Sequence, residues 1–293
     1  VISLFVFTSM AGENYPEKPI KIIVGFSAGG PTDVPARIIA SHWEKEIGQQ
    51  MVVVNKTGAG GQLAWDELAH SEPDGYTIGV TNVPGLIMVS LRPGATFKAS
   101  DFDYIGCNIV DAAAVMVKED SEFKTFKELL DYMNENPGRL IAGLNGPTSD
   151  DQLALVMMED AMDKKIQSTV MFPEGEANAA VSLLGGHIDF LIGNASTAQK
   201  HPGEIRILTL LNKDRIDMFS EVPTIGEVIG KEVVEFSARG FGAPKGIPED
   251  RLALIRETFE KTVLNPDTIA DLKKAGFPHI YWNSEEFGGN VLM

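Results

Sequence analysis

Ile20-Lys-Ile-Ile-Val-Gly-Phe26 followed at once by Ser27-Ala-Gly-Gly-Pro-Thr-Asp33 is the stretch whose reading decides the fold. The first seven residues are short, mostly apolar and rich in β-branched side chains, as a buried strand requires. The next seven carry two glycines and a proline, so the chain turns there. From Asp33 to Ile47 the apolar residues recur at helical spacing, and Gly48 supplies the C-cap. Gly29 and Gly30 let the backbone come close to a ligand. The helix that follows begins with free N–H groups and a partial positive charge, which together suit an anion. The same features serve a plain tight turn with Thr32 or Asp33 as N-cap. The glycine spacings of dinucleotide and P-loop sites are absent.

The pattern repeats outward from this unit. Met51–Val54 reads as a strand, Gly58-Ala-Gly-Gly61 leads into a helix through Leu68, and Tyr76–Val80 is a third strand after the turn Pro73-Asp-Gly75. Phe102–Ile109 and Ala112–Val117 read as two strands with no helix between them. Thr125-Phe-Lys-Glu128 is a capping box opening a helix to about Asn136. Strand Leu140–Leu144, helix Asp150–Ala161, strand Ser168–Phe172, helix Glu176–Leu184 and strands Ile188–Ile192 and Ile205–Leu211 follow. Val233–Phe236 reads as a strand. Pro248 opens helix Glu249–Val263, and Asn265-Pro266 opens another that ends before Gly276. Strand Ile280–Trp282 and a short helix at Ser284 complete the chain. Alternating strands and helices predict an α/β fold with parallel strands.

At 293 residues the chain has the length of two domains. No low-complexity linker and no repeat separates them, so the chain is expected to cross between lobes more than once. Crossings near Asp103 and Asn212–Arg215 give one lobe from 14–103 and 215–293, and the other from 104–214.

The net charge is −16 and no Lys/Arg run exists, which argues against a nucleic-acid partner. Any attraction for an anion must then come from local dipoles rather than the global field. One cysteine, Cys107, excludes an internal disulfide and reads as a small buried hydrophobe. The five histidines lack metal-ligand spacing, so no metal and no cofactor are expected. His42 reads as packed in its helix and His187 as solvated. No Gly-x-Ser-x-Gly elbow and no nucleophile–base constellation is present, so the reading is not an enzyme. Residues 1–13 are apolar up to Ser9-Met-Ala11 and then turn polar, as a residual secretory leader would. No later stretch is long and apolar enough to span a bilayer. An exported, periplasmic protein is expected.

Three other loops share the logic of the first. Asn145-Gly-Pro-Thr-Ser149 precedes a helix, with Ser149 as N-cap and Asp150 and Asp151 in its first turn, where they are expected to point away from an anion. Asn55-Lys-Thr-Gly-Ala-Gly-Gly61 is a third glycine-rich helix start. Asn194-Ala-Ser196 ends a strand. Candidate ligand contacts are Phe26, Ser27, Ala28, Gly29, Gly30 and Asp33 in the first turn, Gly60 in the third, and Thr81 after the third strand. Asn145, Thr148, Ser149, Gln152, Phe172 and Asn194 complete the set. Ser27, Thr148 and Ser149 are expected to offer hydroxyls, and Asp33 to shape its loop.

Together these loops resemble the extracytoplasmic solute-binding proteins of tripartite tricarboxylate transporters, the Bug family. The resemblance also rests on Tyr15-Pro-Glu-Lys-Pro-Ile20, Pro73-Asp-Gly-Tyr-Thr77, Asn136-Pro-Gly138, Leu183-Leu-Gly-Gly-His-Ile-Asp189, Glu221-Val-Pro-Thr224 and Gly246-Ile-Pro248. It implies a two-lobed flytrap, each lobe a mixed sheet flanked by helices, with the ligand cleft between lobes. A small carboxylate, possibly aromatic, would be held by one turn per lobe, Phe26–Asp33 and Gly146–Gln152, and passed to integral membrane transporter subunits by a monomer. The family's usual Gly-x-Gly-Ser-x-x-His-Leu reads here Gly146-Pro-Thr-Ser-Asp-Asp-Gln-Leu153. Thr148 thus replaces a glycine, Gln152 a histidine, and Phe172 stands where tyrosine is common. The alternatives are a sensor that shows its closed form to a signalling receptor and an enzyme acting on a small carboxylated metabolite.

Overall fold

The computed structural model describes residues 15–173 and 175–292; the expected leader lies outside the described residues. The opening stretch folds as read. β1 (Ile20–Val24) runs through the turn into α1 (Asp33–Ile47), which Gly48 closes in the left-handed conformation at φ 75°. β2 (Met51–Asn55), α2 (Gln62–Ala69), β3 (Thr77–Val83) and α3 (Gly85–Ser90) follow. β1 pairs in parallel with both β2 and β3, the βαβ arrangement the alternation predicts.

β4 (Phe102–Lys118) is one strand of 17 residues, where two were expected. Register shifts between Tyr104 and Gly106 and between Cys107 and Ile109 bend it without ending it. Its interior is buried almost throughout, so its sequence reads as a continuous apolar run. After it come α4 (Phe126–Glu135), β5 (Ile141–Asn145), α5 (Asp150–Met162), β6 (Ser168–Phe172), α6 (Glu176–Leu184), β7 (Phe190–Asn194), α7 (Ser196–Lys200) and β8 (Ile205–Leu211). α4 opens with the expected capping box, Thr125 Oγ1 accepting from Glu128 N while Glu128 accepts from Thr125 N. β7 starts two residues later than read, because the Gly185-Gly186 turn still binds His187 N to Ser182 O.

α8 (Ile225–Ile229), β9 (Phe236–Pro244), α9 (Glu249–Leu264), α10 (Pro266–Lys274) and α11 (Ser284–Leu292) complete the chain. β9 begins where the expected strand Val233–Phe236 ends. Its Ser237-Ala-Arg-Gly-Phe-Gly242 segment has low strand propensity and gains its place by fit instead. The expected strand at Ile280–Trp282 is a single bridge, in which Cys107 and Trp282 exchange backbone hydrogen bonds of 2.9 and 3.0 Å. α3, α7 and α8 escaped the reading because five or six residues are too few to show a helical period.

The nine strands form the order β2-β1-β3-β9-β4-β7-β5-β6, with β8 also on β4. β9 and β4 are antiparallel to their neighbours, while β5 pairs in parallel with β6 and β7. The first half of β4 lies against β9 up to Ala112, and from Ala113 its partners are β7 and β8. Two apolar clusters cover the faces of the β2-to-β9 part, one around Trp43, Phe241 and Phe259 and one around Trp65, Phe97 and Phe287. Two more cover the β7-to-β6 part, around Phe126, Phe190 and Leu208 and around Leu183 and Leu191. Each fully buried large side chain contributes about 1.5–3 kcal/mol.

Beyond Asn212–Arg215 the chain makes an excursion along β8 before β9 begins. Ile225 and Val233 pack with Leu208 and Leu211, so the chain stays with the second half until Glu235. The Leu210–Thr224 bridge holds this excursion to β8.

Gly240 sits where β9 passes β4. A Cβ there would stand 2.4 Å from Gly106 O and 2.4 Å from Phe287 Cε1. Gly240→Ala is expected to destabilise the fold by about 1–3 kcal/mol through overpacking, read as a lower urea midpoint at unchanged m-value.

Candidate functional site

The turn after β1 is fastened by its own helix. Asp33 Oδ2 accepts from Gly29 N at 2.9 Å, and Oδ1 accepts from Asn55 Nδ2 at 2.8 Å. Arg37 Nε, one helical turn on, donates to the same carboxylate at 2.9 Å. Burial alone would raise the Asp33 pKa, but these hydrogen bonds outweigh it and hold it below the usual value. Asp33 is therefore spent on the loop. Thr32 makes no cap bond; its hydroxyl oxygen accepts instead from Asn82 Nδ2 at 3.0 Å.

The turn after β5 uses the same device. Asp151 Oδ2 accepts from Asn145 N at 2.9 Å, and the side chain is buried rather than pointing outward as expected. Burial raises its pKa well above normal, and the neighbouring Asp150 charge adds to this. Ser149 caps α5, accepting from Gln152 N at 3.2 Å. Thr148 holds a φ of 54°, an unusual conformation for a β-branched residue. The side-chain oxygen of Gln152 accepts from Thr148 N, which ties the turn to the helix. Gln152 thus works as a brace.

A third helix start, α6, was not anticipated as part of the site. Gly175 at its N-cap has φ 123°, and Glu176 behind it is buried. Glu176 Oε1 accepts from Asn194 N and Thr197 Oγ1, each at 2.7 Å, and Oε2 from Asn194 Nδ2 at 2.8 Å. Burial pushes its pKa to about 7 against the pull of these donors.

The three helix starts converge on a small cavity. Phe26, Ser27, Gly30, Pro31 and Thr32 wall it on one side, and Asn145, Asp150, Gly175, Glu176 and Ala177 on the other. Asn82, Asn194 and Arg239 close it. An adjoining pocket adds Gly60, Trp65, Ser149 and Phe172. Both lie at the C-terminal ends of β1, β3, β5 and β7, where open α/β sheets hold ligands. The halves touch around them. Arg92 donates to Thr148 Oγ1 on one side and to Ala59 O at 2.6 Å on the other. Lys200 Nζ donates to Gly29 O at 3.1 Å.

Of the residues expected from sequence, Phe26, Ser27, Gly30, Asn145 and Asn194 line the cavity, and Gly60, Ser149 and Phe172 the adjoining pocket. Ala28 and Gly29 lie exposed at the tip of their turn, and Asp33, Thr148 and Gln152 serve as fasteners. Thr81 is fully buried and lines neither pocket, whereas its neighbour Asn82, on the opposite face by strand alternation, lines both.

The sequence reading did not single out Arg239 as a cavity residue. This residue of β9 is 3% exposed and lines the cavity. Its Nη1 donates to Asp111 of β4 at 2.9 Å. A charged residue within each of two apolar, buried strands was the signal available in the sequence. A lone buried charge is so costly that the pair predicts contact.

A mixed nine-stranded sheet flanked by helices, with strand-end loops that meet over a partly polar cavity, is the architecture of periplasmic solute-binding proteins. The chain belongs to the family described as the tripartite tricarboxylate transporter family receptor, whose pattern matches residues 35–288. It is 31% identical over 276 residues to the UPF0065 protein in gbd 5'region of Cupriavidus necator, covering 94% of this chain and 84% of that one. The solved structure of periplasmic binding protein BugD is similar at TM-score 0.85 and 26% identity, covering 94% of each chain. R. palustris Rpa4515, solved with adipate, superimposes at TM-score 0.87 with 24% identity, covering 95% of this chain and 94% of that one. The family consists of solute-binding proteins, with which the reading as a non-enzyme is consistent. Among the described residues no helix is long and apolar enough to cross a membrane.

Glu176 makes stability depend on pH. Its folded pKa of about 7 exceeds the unfolded 4.5, so the folded state binds the extra proton between these values. Its contribution is fully present below about pH 4.5 and is lost as pH rises through about 7. Asp151 and Glu235, also raised by burial, add to the same slope. Unfolding midpoints are expected to be higher at pH 5 than at pH 8, and Glu176→Gln to flatten part of that difference in urea titrations at both pH values.

Proposed function

We propose that the protein captures a small organic anion, a mono- or dicarboxylate, and delivers it to the membrane subunits of a tripartite tricarboxylate-type transporter. The observation that carries this is the cavity itself, walled by helix starts from both halves. Free N–H groups at the starts of α1, α5 and α6 offer an anion charge-assisted hydrogen bonds of the short, strong kind. Such local dipoles act at contact distance and so work within a protein of net charge −16.

The β2-to-β9 part and the β7-to-β6 part act as two lobes, hinged where β4 and β9 pass between them. The ligand binds the closed form better than the open one, and that difference drives closure. Adipate in Rpa4515 is an example of the ligand class this fold accepts. The protein works in the periplasm as a monomer, with no nucleic-acid partner and no cofactor.

A panel of carboxylates, including succinate, adipate and benzoate, offered to protein stripped by unfolding and refolding should raise its melting temperature with at least one member. Gly30→Val should weaken binding of that acid about tenfold or more in calorimetry. A Cβ there already meets Ser27 O at 3.1 Å and points toward Ala177 across the cavity. Ser149→Ala should cost about 1 kcal/mol of stability as a lost cap and also weaken binding. If both variants bind as the parent does, the ligand sits elsewhere.

A further inference from the structure

Buried polar atoms without a partner are rare in folded proteins, and each calls for an explanation. Three of them here belong to residues that line the cavity: Asn82 Oδ1, Asn145 Oδ1 and Arg239 Nε. All three side chains are more than nine-tenths buried. They are not equivalent. Arg239 Nε is a donor in search of an acceptor, and the two asparagine oxygens are acceptors in search of donors. Asn82 has already committed its nitrogen to Thr32 Oγ1, which leaves its oxygen unpaired.

A simple carboxylate satisfies only half of this set, because it can accept from Arg239 but has nothing to donate to Asn82 and Asn145. The charges point the same way. Arg239 is already offset by Asp111 at 2.9 Å. The other charged side chains lining the cavity are the carboxyls of Asp150 and Glu176. Lys200, which does not line the cavity, has its ammonium on Gly29 O. A second carboxylate on the ligand would meet acidic groups and unpaired carbonyl oxygens. An ammonium would meet partners.

We infer that the ligand is a small amino acid, whose carboxylate accepts from Arg239 Nε and the turn amides while its ammonium donates to Asn82 Oδ1 and Asn145 Oδ1. This rests on the carboxylate-capture reading above and narrows it. Asn82 is the last residue but one of β3 and Asn145 ends β5, so the ammonium bridges the two halves. Recognition of the amine is thereby coupled to closure, and an acid without it gains no bridge.

The test is calorimetry on the stripped full chain with the standard amino acids, each beside the 2-hydroxy acid and the unsubstituted acid of the same skeleton, such as L-alanine, L-lactate and propionate. Succinate and adipate form a separate arm. At least one amino acid should bind about tenfold or more tighter than both of its analogues, the scale expected when a buried acceptor loses a charged donor. Asn82→Leu and Asn145→Leu should abolish the preference, read in each variant as the ratio of the amino acid's affinity to that of its two analogues; melts without ligand check their folding, and the wild-type comparison decides if either fails to fold. Equal affinity within every trio, a preference for the hydroxy acid, or binding by dicarboxylates alone overturns the amino-acid assignment and leaves carboxylate capture standing. Binding by none of these acids removes both.

Discussion

The antiparallel pairing of β4 with β9 is the joint on which this structure depends. From Phe102 to Ala112 the two strands share a ladder, and past it β4 changes partners to β7 and β8. One strand therefore belongs to both halves of the molecule. Close approach at Gly106 and Gly240 makes the ladder possible, and the Asp111–Arg239 pair crosses it within a buried environment. Removing either charge would leave the other uncompensated, so the pair fixes the register at the place where the halves join. It also delivers a guanidinium to the cavity floor.

Around that joint the strand-end turns obey one rule. A carboxylate in the first helical turn folds back to an amide of its own loop, Asp33 to Gly29 and Asp151 to Asn145. Acidic residues at a helix start look hostile to anion binding, but these two are consumed internally. They hold the loop backbone in a shape that leaves other N–H groups open. Asp150, next to Asp151, is different, because it lines the cavity and gives it acidic character. The neighbourhood is thus mixed rather than positive, which suits a protein whose surface is strongly acidic.

Burial explains the titration behaviour of the same region. Glu176, Asp151 and Glu235 sit away from water, and desolvation is the largest influence on each. Cys107, raised to about 12 by burial between β4 and β9, is an inert packing group as its apolar context suggested.

The sequence by itself determined the elements whose logic is local. The β1-turn-α1 unit, the Thr125 capping box, the Ser149 cap, the Gly48 stop and Pro266 at the start of α10 are each set by residues within a few positions of one another. The resemblance added the family and the pairing of two turns across the chain. Tertiary structure alone decided what depends on distant neighbours. β9 is glycine-rich and forms a strand only because β3 and β4 flank it. β4 runs on as one strand while its partners change midway from β9 to β7 and β8, which no local pattern records. Residues 225–233 join the second half through contacts with β8 that sequence order does not reveal. Asn82, Glu176 and Arg239 are ordinary polar residues in three separate elements, and they become a site only when the sheet brings them to one cavity. Periodicity reports which face of an element is buried, but only packing determines what that face meets.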